Sequence, residues 1–148
     1  MTGIYATARQ MLSDLAEKKV SARELLDLHV ARNDALHGKL NAVIEKDLDH
    51  ARAAAKSIDD ARAHGAELGA LAGLPMTIKD GFDVFGMPAT SGAKGFTGRK
   101  KDCNDADVVA AARKAGAVIW GKTNVPYMLG DIQSYNEIYG TTNNPYDV

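Results

Sequence analysis

Asp105-Ala-Asp-Val-Val-Ala-Ala-Ala-Arg-Lys-Ala-Gly-Ala-Val-Ile-Trp120 is the stretch that decides the fold class. Its first part is rich in alanine, with Gly116 placed to cap a helix running from about Asp105 to Ala115. Val118-Ile-Trp120 then has the short apolar texture of a buried strand. Upstream, Met76-Thr-Ile-Lys79 reads as a second strand, ended by the turn signal Asp80-Gly81. In an ideal strand Met76 and Ile78 would project to one face, Thr77 and Lys79 to the other. Strand, helix, strand at this spacing predicts an α/β fold with a mixed, partly parallel sheet, the two strands being neighbours.

Toward the N-terminus the pattern is helical. Ala8, Met11, Leu12 and Leu15 recur at helical spacing. Ser21-Ala-Arg-Glu24 matches a capping box, in which serine and glutamate satisfy each other's free backbone N–H groups. A second helix is therefore expected to start near Ser21. Leu40 to Ile44 is a candidate strand, and a third helix from Asp47 would bury Leu48, Ala51, Ala55 and Ile58 before a cap at Gly65. The chain thus divides into a helical region, residues 1–65, whose helices pack on the sheet, and an α/β core segment, residues 66–148.

Bulk composition narrows the function classes. The 148 residues are 45% apolar and 25% charged, with a formal net charge of -1. That balance gives no field to recruit nucleic acid or an acidic membrane. No apolar run is long enough to span a bilayer, and Arg9, Asp14, Glu17 and Lys18 interrupt any signal-peptide pattern. The single cysteine, Cys103, forms no internal disulfide. His29, His37, His50 and His64 fall outside metal-ligand spacing and read as solvated helix positions. A cytoplasmic protein without metal or cofactor is the expectation.

One motif points elsewhere. Gly116-Ala-Val-Ile-Trp-Gly-Lys-Thr123 matches the phosphate-loop pattern letter for letter. A phosphate loop must follow a strand and open a helix. Here the pattern reads as a helix cap, a strand of Val118 to Trp120 and a turn from Gly121, and Pro126 follows within a few positions. A nucleotide-binding module is therefore the minor alternative.

Leu71-Ala-Gly-Leu-Pro-Met-Thr-Ile-Lys-Asp80 resembles the segment around the catalytic lysine of the amidase signature family. Further segments follow in that family's order: the loop from Gly86 with Thr90-Ser91-Gly92, then Asp105-Ala-Asp-Val-Val, Ala115 to Asn124, and Asn136 leading to Tyr139-Gly-Thr-Thr-Asn-Asn-Pro145. The resemblance covers the chain from about Ser21 onward. It implies hydrolysis or transfer of a carboxamide by a lysine, a serine held by a cis peptide bond and a nucleophilic serine.

By position Lys79 is the family's lysine. The resemblance puts both serines and the oxyanion-hole donors in a Gly-Ser-rich stretch beyond Val148, so the chain alone is expected to be inactive. A neutral lysine can take a serine's proton, and burial disfavours the charged form of a lysine. Lys79 is accordingly expected to point inward beside Thr90–Gly92. Local sequence alone favours a strand-end lysine reaching water and pairing with Asp80 or Asp83. The resemblance also places Leu129, Gly130 and Asp131, with Thr90, Ser91 and Gly92, around a small-molecule amide substrate. Asp131 departs from the small residue common there, and reads equally as a contact for a cationic or hydrogen-bond-donating substrate or as a turn cap. Asp80 carries no proton-transfer role; Asn136, Asn143 and Asn144 look structural. The implied partner is a C-terminal remainder or a complementary chain of a split amidase or amidotransferase. An open sheet edge and an apolar patch should mark where that partner fits.

Overall fold

A computed structural model describes residues 3–98 and 104–147. Cys103 lies outside the described residues. Helix α1 (Ala8–Ala16) buries Met11 and Leu15, as its spacing requires. Helix α2 (Ala22–Leu40) begins at the expected capping box: Ser21 Oγ accepts from the Glu24 amide, and the Glu24 carboxylate accepts from the Ser21 amide. A second carboxylate reinforces this end, because Asp59 accepts from the amides of Ala22 and Arg23.

Strand β1 is Val43–Lys46, later than the Leu40–Ile44 run suggested. Leu40 closes α2, and Asn41 follows in the left-handed region with φ 51°. Its side chain donates to the carbonyls of Tyr139 and Thr141, a long-range partner that local sequence does not disclose. Helix α3 (Leu48–Ala63) starts on an Asp47 cap, and Gly65 follows it with φ 72°. Strand β2 (Pro75–Lys79), helix α4 (Asp107–Lys114) and strand β3 (Val118–Thr123) complete the expected strand–helix–strand unit. Gly116 turns the chain between α4 and β3 at φ 91°, and a Cβ there would meet the Ala72 Cα at 2.7 Å. Only glycine fits both conditions.

The sheet has the order β1-β3-β2, with β1 antiparallel and β2 parallel to the central β3. A short hairpin, β4 (Tyr135–Asn136) and β5 (Gly140–Thr141), stands apart from it. Strand β3 is buried on both faces. Val118 and Trp120 pack with Leu15, Leu25, Leu26 and Ala55 of α1–α3, while Ile119 packs with Val84, Met87 and Val109. Helices therefore cover both sides of this strand, as its continuous apolar run requires.

Two expectations need correction. The register of β2 on β3 shifts between Met76 and Thr77, and Met76 packs with the first cluster while Ile78 packs with the second. Simple alternation along β2 therefore fails. Gly121, Lys122 and Thr123 extend β3 rather than turning away from it, which leaves the phosphate-loop pattern without a loop. Among the described residues β2 pairs only with β3, so its outer edge is open, and no helix is long and apolar enough to cross a membrane.

Candidate active site

The carboxyl ends of parallel strands are where open α/β sheets place ligands. Here β2 ends at Lys79 and β3 at Thr123, which are register partners. The ladder runs one step further, from the Asp80 amide to the Thr123 carbonyl at 3.1 Å. Two loops gather at this end. The first contains Thr90-Ser91-Gly92, the second residues 127–131.

Asp80, fully buried, ties the first loop to β2. Its carboxylate accepts from the Thr90 hydroxyl at 2.6 Å and from the Thr90 amide at 3.2 Å. The same hydroxyl accepts from the Gly92 amide at 3.1 Å. Thr90 is itself 1% exposed, so its polar atoms are engaged within the loop. The second loop docks on the first: the Met128 amide donates to the Ser91 carbonyl at 2.8 Å. Leu129 also reaches back over β2, its Cδ1 lying 2.8 Å from where a Cβ on Gly81 would stand.

The backbone at this junction is strained. Ser91, Met128 and Leu129 have φ of 50°, 50° and 61°, and only two other non-glycine residues among those described, Lys18 and Asn41, have positive φ. Such conformations cost about 1–3 kcal/mol each and persist where the surroundings impose them, often at functional sites. Leu129, Gly130 and Asp131 are exposed, Ser91 half-buried and Gly92 buried. The six residues expected at the substrate thus fall on two touching loops.

Asp131 behaves as a turn cap. Its carboxylate accepts from the Ile132 amide at 2.6 Å and the Tyr135 hydroxyl at 3.0 Å, and these bonds hold its pKa below the usual carboxylate range. Asn136 is structural as expected: it donates to Asn124 Oδ1 and the Val125 carbonyl and accepts from the amides of Ile138 and Tyr139. Asn143 donates to the Lys39 carbonyl, and Asn144 accepts from the Tyr146 amide.

The lysines differ from expectation. Lys79 is exposed, and its ammonium makes no hydrogen bond or ion pair among the described residues. It pairs with neither Asp80 nor Asp83. The interior position beside Asp80 belongs to Lys122, which is 0% exposed. Its Nζ lies 3.3 Å from Asp80 Oδ1 and donates to the carbonyls of Phe82 at 2.7 Å, Pro88 at 2.8 Å and Asp80 at 3.2 Å. Lys79 ends a strand whose outer edge is unpaired among the described residues. An ammonium committed to carbonyl oxygens cannot also hold a phosphate, which argues further against nucleotide binding. No group of three or more His, Cys, Asp and Glu residues among those described is placed to hold a metal ion.

Tyr139, on the hairpin, joins this neighbourhood through its hydroxyl, which donates to Glu45 at 3.2 Å. Burial, with the negative charges of Glu45 and Asp80, pushes its phenol up to about 12. Because the folded value lies above the unfolded value of about 10, the folded state favours the neutral phenol; that contribution is present below pH 10 and is lost as pH rises toward 12. Urea unfolding at pH 9 and pH 11 should therefore show a smaller alkaline loss of stability in Tyr139→Phe than in the wild type. Equal losses would mean that Tyr139 is not the group responsible.

The family model named Amidase matches residues 24–148. The chain belongs to the amidase family. It is 38% identical to a glutamyl-tRNA(Gln) amidotransferase subunit from Acidothermus cellulolyticus over 145 residues, which is 98% of this chain and 28% of that protein. Among solved structures, a protein described with a vestigial complex and the origins of an s-triazine catabolic enzyme superposes with a TM-score of 0.92. The identity there is 32%, covering 96% of this chain and 31% of that one. A bacterial aryl acylamidase of the amidase signature enzymes shares the fold, with a TM-score of 0.91 at 24% identity over 97% of this chain and 30% of its own. This amidase chain therefore spans less than a third of the length of these relatives.

The buried Lys122 is the feature that sequence reasoning missed. The available signal was the apolar run before it: a lysine directly following Val118–Gly121 within a strand buried on both faces needs internal partners.

Proposed function

We propose that this chain supplies the base-bearing part of a carboxamide hydrolase, with Lys79 as the general base. In this reading Lys79, once the C-terminal portion covers it, takes the proton of a nucleophilic serine through a bridging serine and returns it to the leaving amine. Both serines come from the C-terminal portion of the domain. The observation that carries the reading is the family match over residues 24–148, together with the place of Lys79 at the carboxyl end of a parallel strand. Ser91, Gly92, Leu129 and Gly130 line the small-molecule amide pocket, while Thr90 and Asp131 act through the loops they hold. The exposed side chains Phe82, Phe85, Tyr127, Met128 and Leu129 provide apolar surface for the C-terminal portion to cover.

The purified chain alone should hydrolyse no member of an ester and amide panel, and a fluorophosphonate probe should label no serine. A base without a nucleophile has nothing to activate, and each missing oxyanion donor is worth about 3 kcal/mol. Adding the C-terminal portion, fused or as a separate chain, should restore turnover. Success with a separate chain would support the split amidase or amidotransferase arrangement. Turnover by the chain alone that disappears in Lys79→Ala would refute the division of labour, as would stoichiometric labelling of Ser57, Ser91 or Ser134.

A further inference from the structure

We infer that the buried pair Lys122–Asp80 is the positioning device for the general base, an inference that rests on Lys79 acting as that base. Lys79 is the last residue of β2, and the path of the chain beyond it decides where its side chain emerges. The segment from Asp80 to Gly92 has little regular structure of its own; its only bridge joins Val84 and Met87. Its path is gathered instead on one ammonium. Lys122 Nζ, projecting from the central strand, holds the carbonyls of Asp80, Phe82 and Pro88 together with the Asp80 carboxylate.

That carboxylate in turn holds the Thr90 amide and hydroxyl. One buried cation therefore fixes the turn directly after the base and, through Asp80, the loop beside it. The Phe82 amide closes the turn on the Lys79 carbonyl at 3.0 Å. Lys122 and Asp80 are buried away from any surface a substrate could reach, so their effect on chemistry passes through Lys79 and the Thr90–Gly92 loop. A displacement of about 1 Å in a reacting group costs on the order of 10²-fold in rate.

The test uses Asp80→Asn/Lys122→Met, a double variant that removes the pair without leaving a charge buried alone. In the enzyme assembled with its C-terminal portion, kcat should fall about 10²-fold. Lys46→Ala, which removes an exposed cation from β1, should leave kcat unchanged. In the chain without that portion, amide hydrogen exchange across residues 81–92 should rise at least about tenfold, with α1–α3 still protected. Wild-type kcat in the folded double variant, or unchanged exchange across the segment, would overturn the proposal with its premise intact. Lys79→Ala is measured alongside. Full activity in that variant would remove the base the pair is said to place, and so overturn the proposal at its premise.

Discussion

Replacing Lys79 by alanine in the assembled enzyme should lower kcat for amide hydrolysis by about 10⁴-fold, the upper end of what a positioned acid–base group contributes. At about 1.4 kcal/mol per decade, that is a loss of over 5 kcal/mol of transition-state stabilisation. In the chain without the C-terminal portion, stability should barely change, because the side chain is exposed and makes no hydrogen bond or ion pair among the described residues. Such surface substitutions usually stay within about 0.5 kcal/mol. Lys79→Arg separates two roles that alanine confounds. A guanidinium keeps the positive charge but stays protonated, so it preserves electrostatic attraction and abolishes base catalysis. Equal losses in both variants are expected. An arginine variant that retains most of the activity would assign Lys79 a charge role, and an active alanine variant would leave it none. Steady-state kcat and KM, with thermal unfolding of the chain without that portion, decide between these outcomes.

The parts of the fold that sequence disclosed are those whose causes are local. The Ser21–Glu24 capping box needs only residues three apart, and it forms as read. The faces of α1 and α3 follow from apolar spacing, and Gly116 marks a turn whose positive φ suits glycine. Adjacency of β2 and β3 follows from the strand–helix–strand order through α4. Where a residue's partner is distant in sequence, local reading fails. Asn41 ends α2 by bonding carbonyls on the hairpin about a hundred positions away, which shifts β1 later than its apolar run implies.

The two lysines show the same limit at the site. The family resemblance implied an inward Lys79, whereas local sequence favoured a lysine reaching water, and the side chain is exposed. Lys122 sat inside a phosphate-loop pattern, and its carbonyl partners lie 34 to 42 residues upstream. Only the parallel pairing of β2 with β3 brings those carbonyls to its ammonium. The two loops expected at the substrate do meet, with Thr90 and Asp131 bonded within and between their elements.

Lys122→Met should destabilise the chain by about 3–5 kcal/mol. Methionine matches the length of the apolar lysine stem. The substitution removes the countercharge of Asp80, which is 0% exposed, and the donor for the Phe82 and Pro88 carbonyls. A carboxylate left buried without its cation either stays charged at high cost or takes up a proton. The Thr90 bonds to it offset only part of that cost, since their donors are neutral. Restoring neutrality changes the expectation. Asp80→Asn/Lys122→Met removes both charges, and replacing a buried pair by neutral groups is often tolerated where breaking it is not. The double variant should therefore be more stable than Lys122→Met by roughly 2 kcal/mol, an interaction energy within the range seen for contacting residues. Urea denaturation of wild type, both single variants and the double variant gives the cycle directly. If the double variant loses the sum of the two single losses, the groups are not coupled, and Lys122 stabilises the chain through its carbonyl contacts alone.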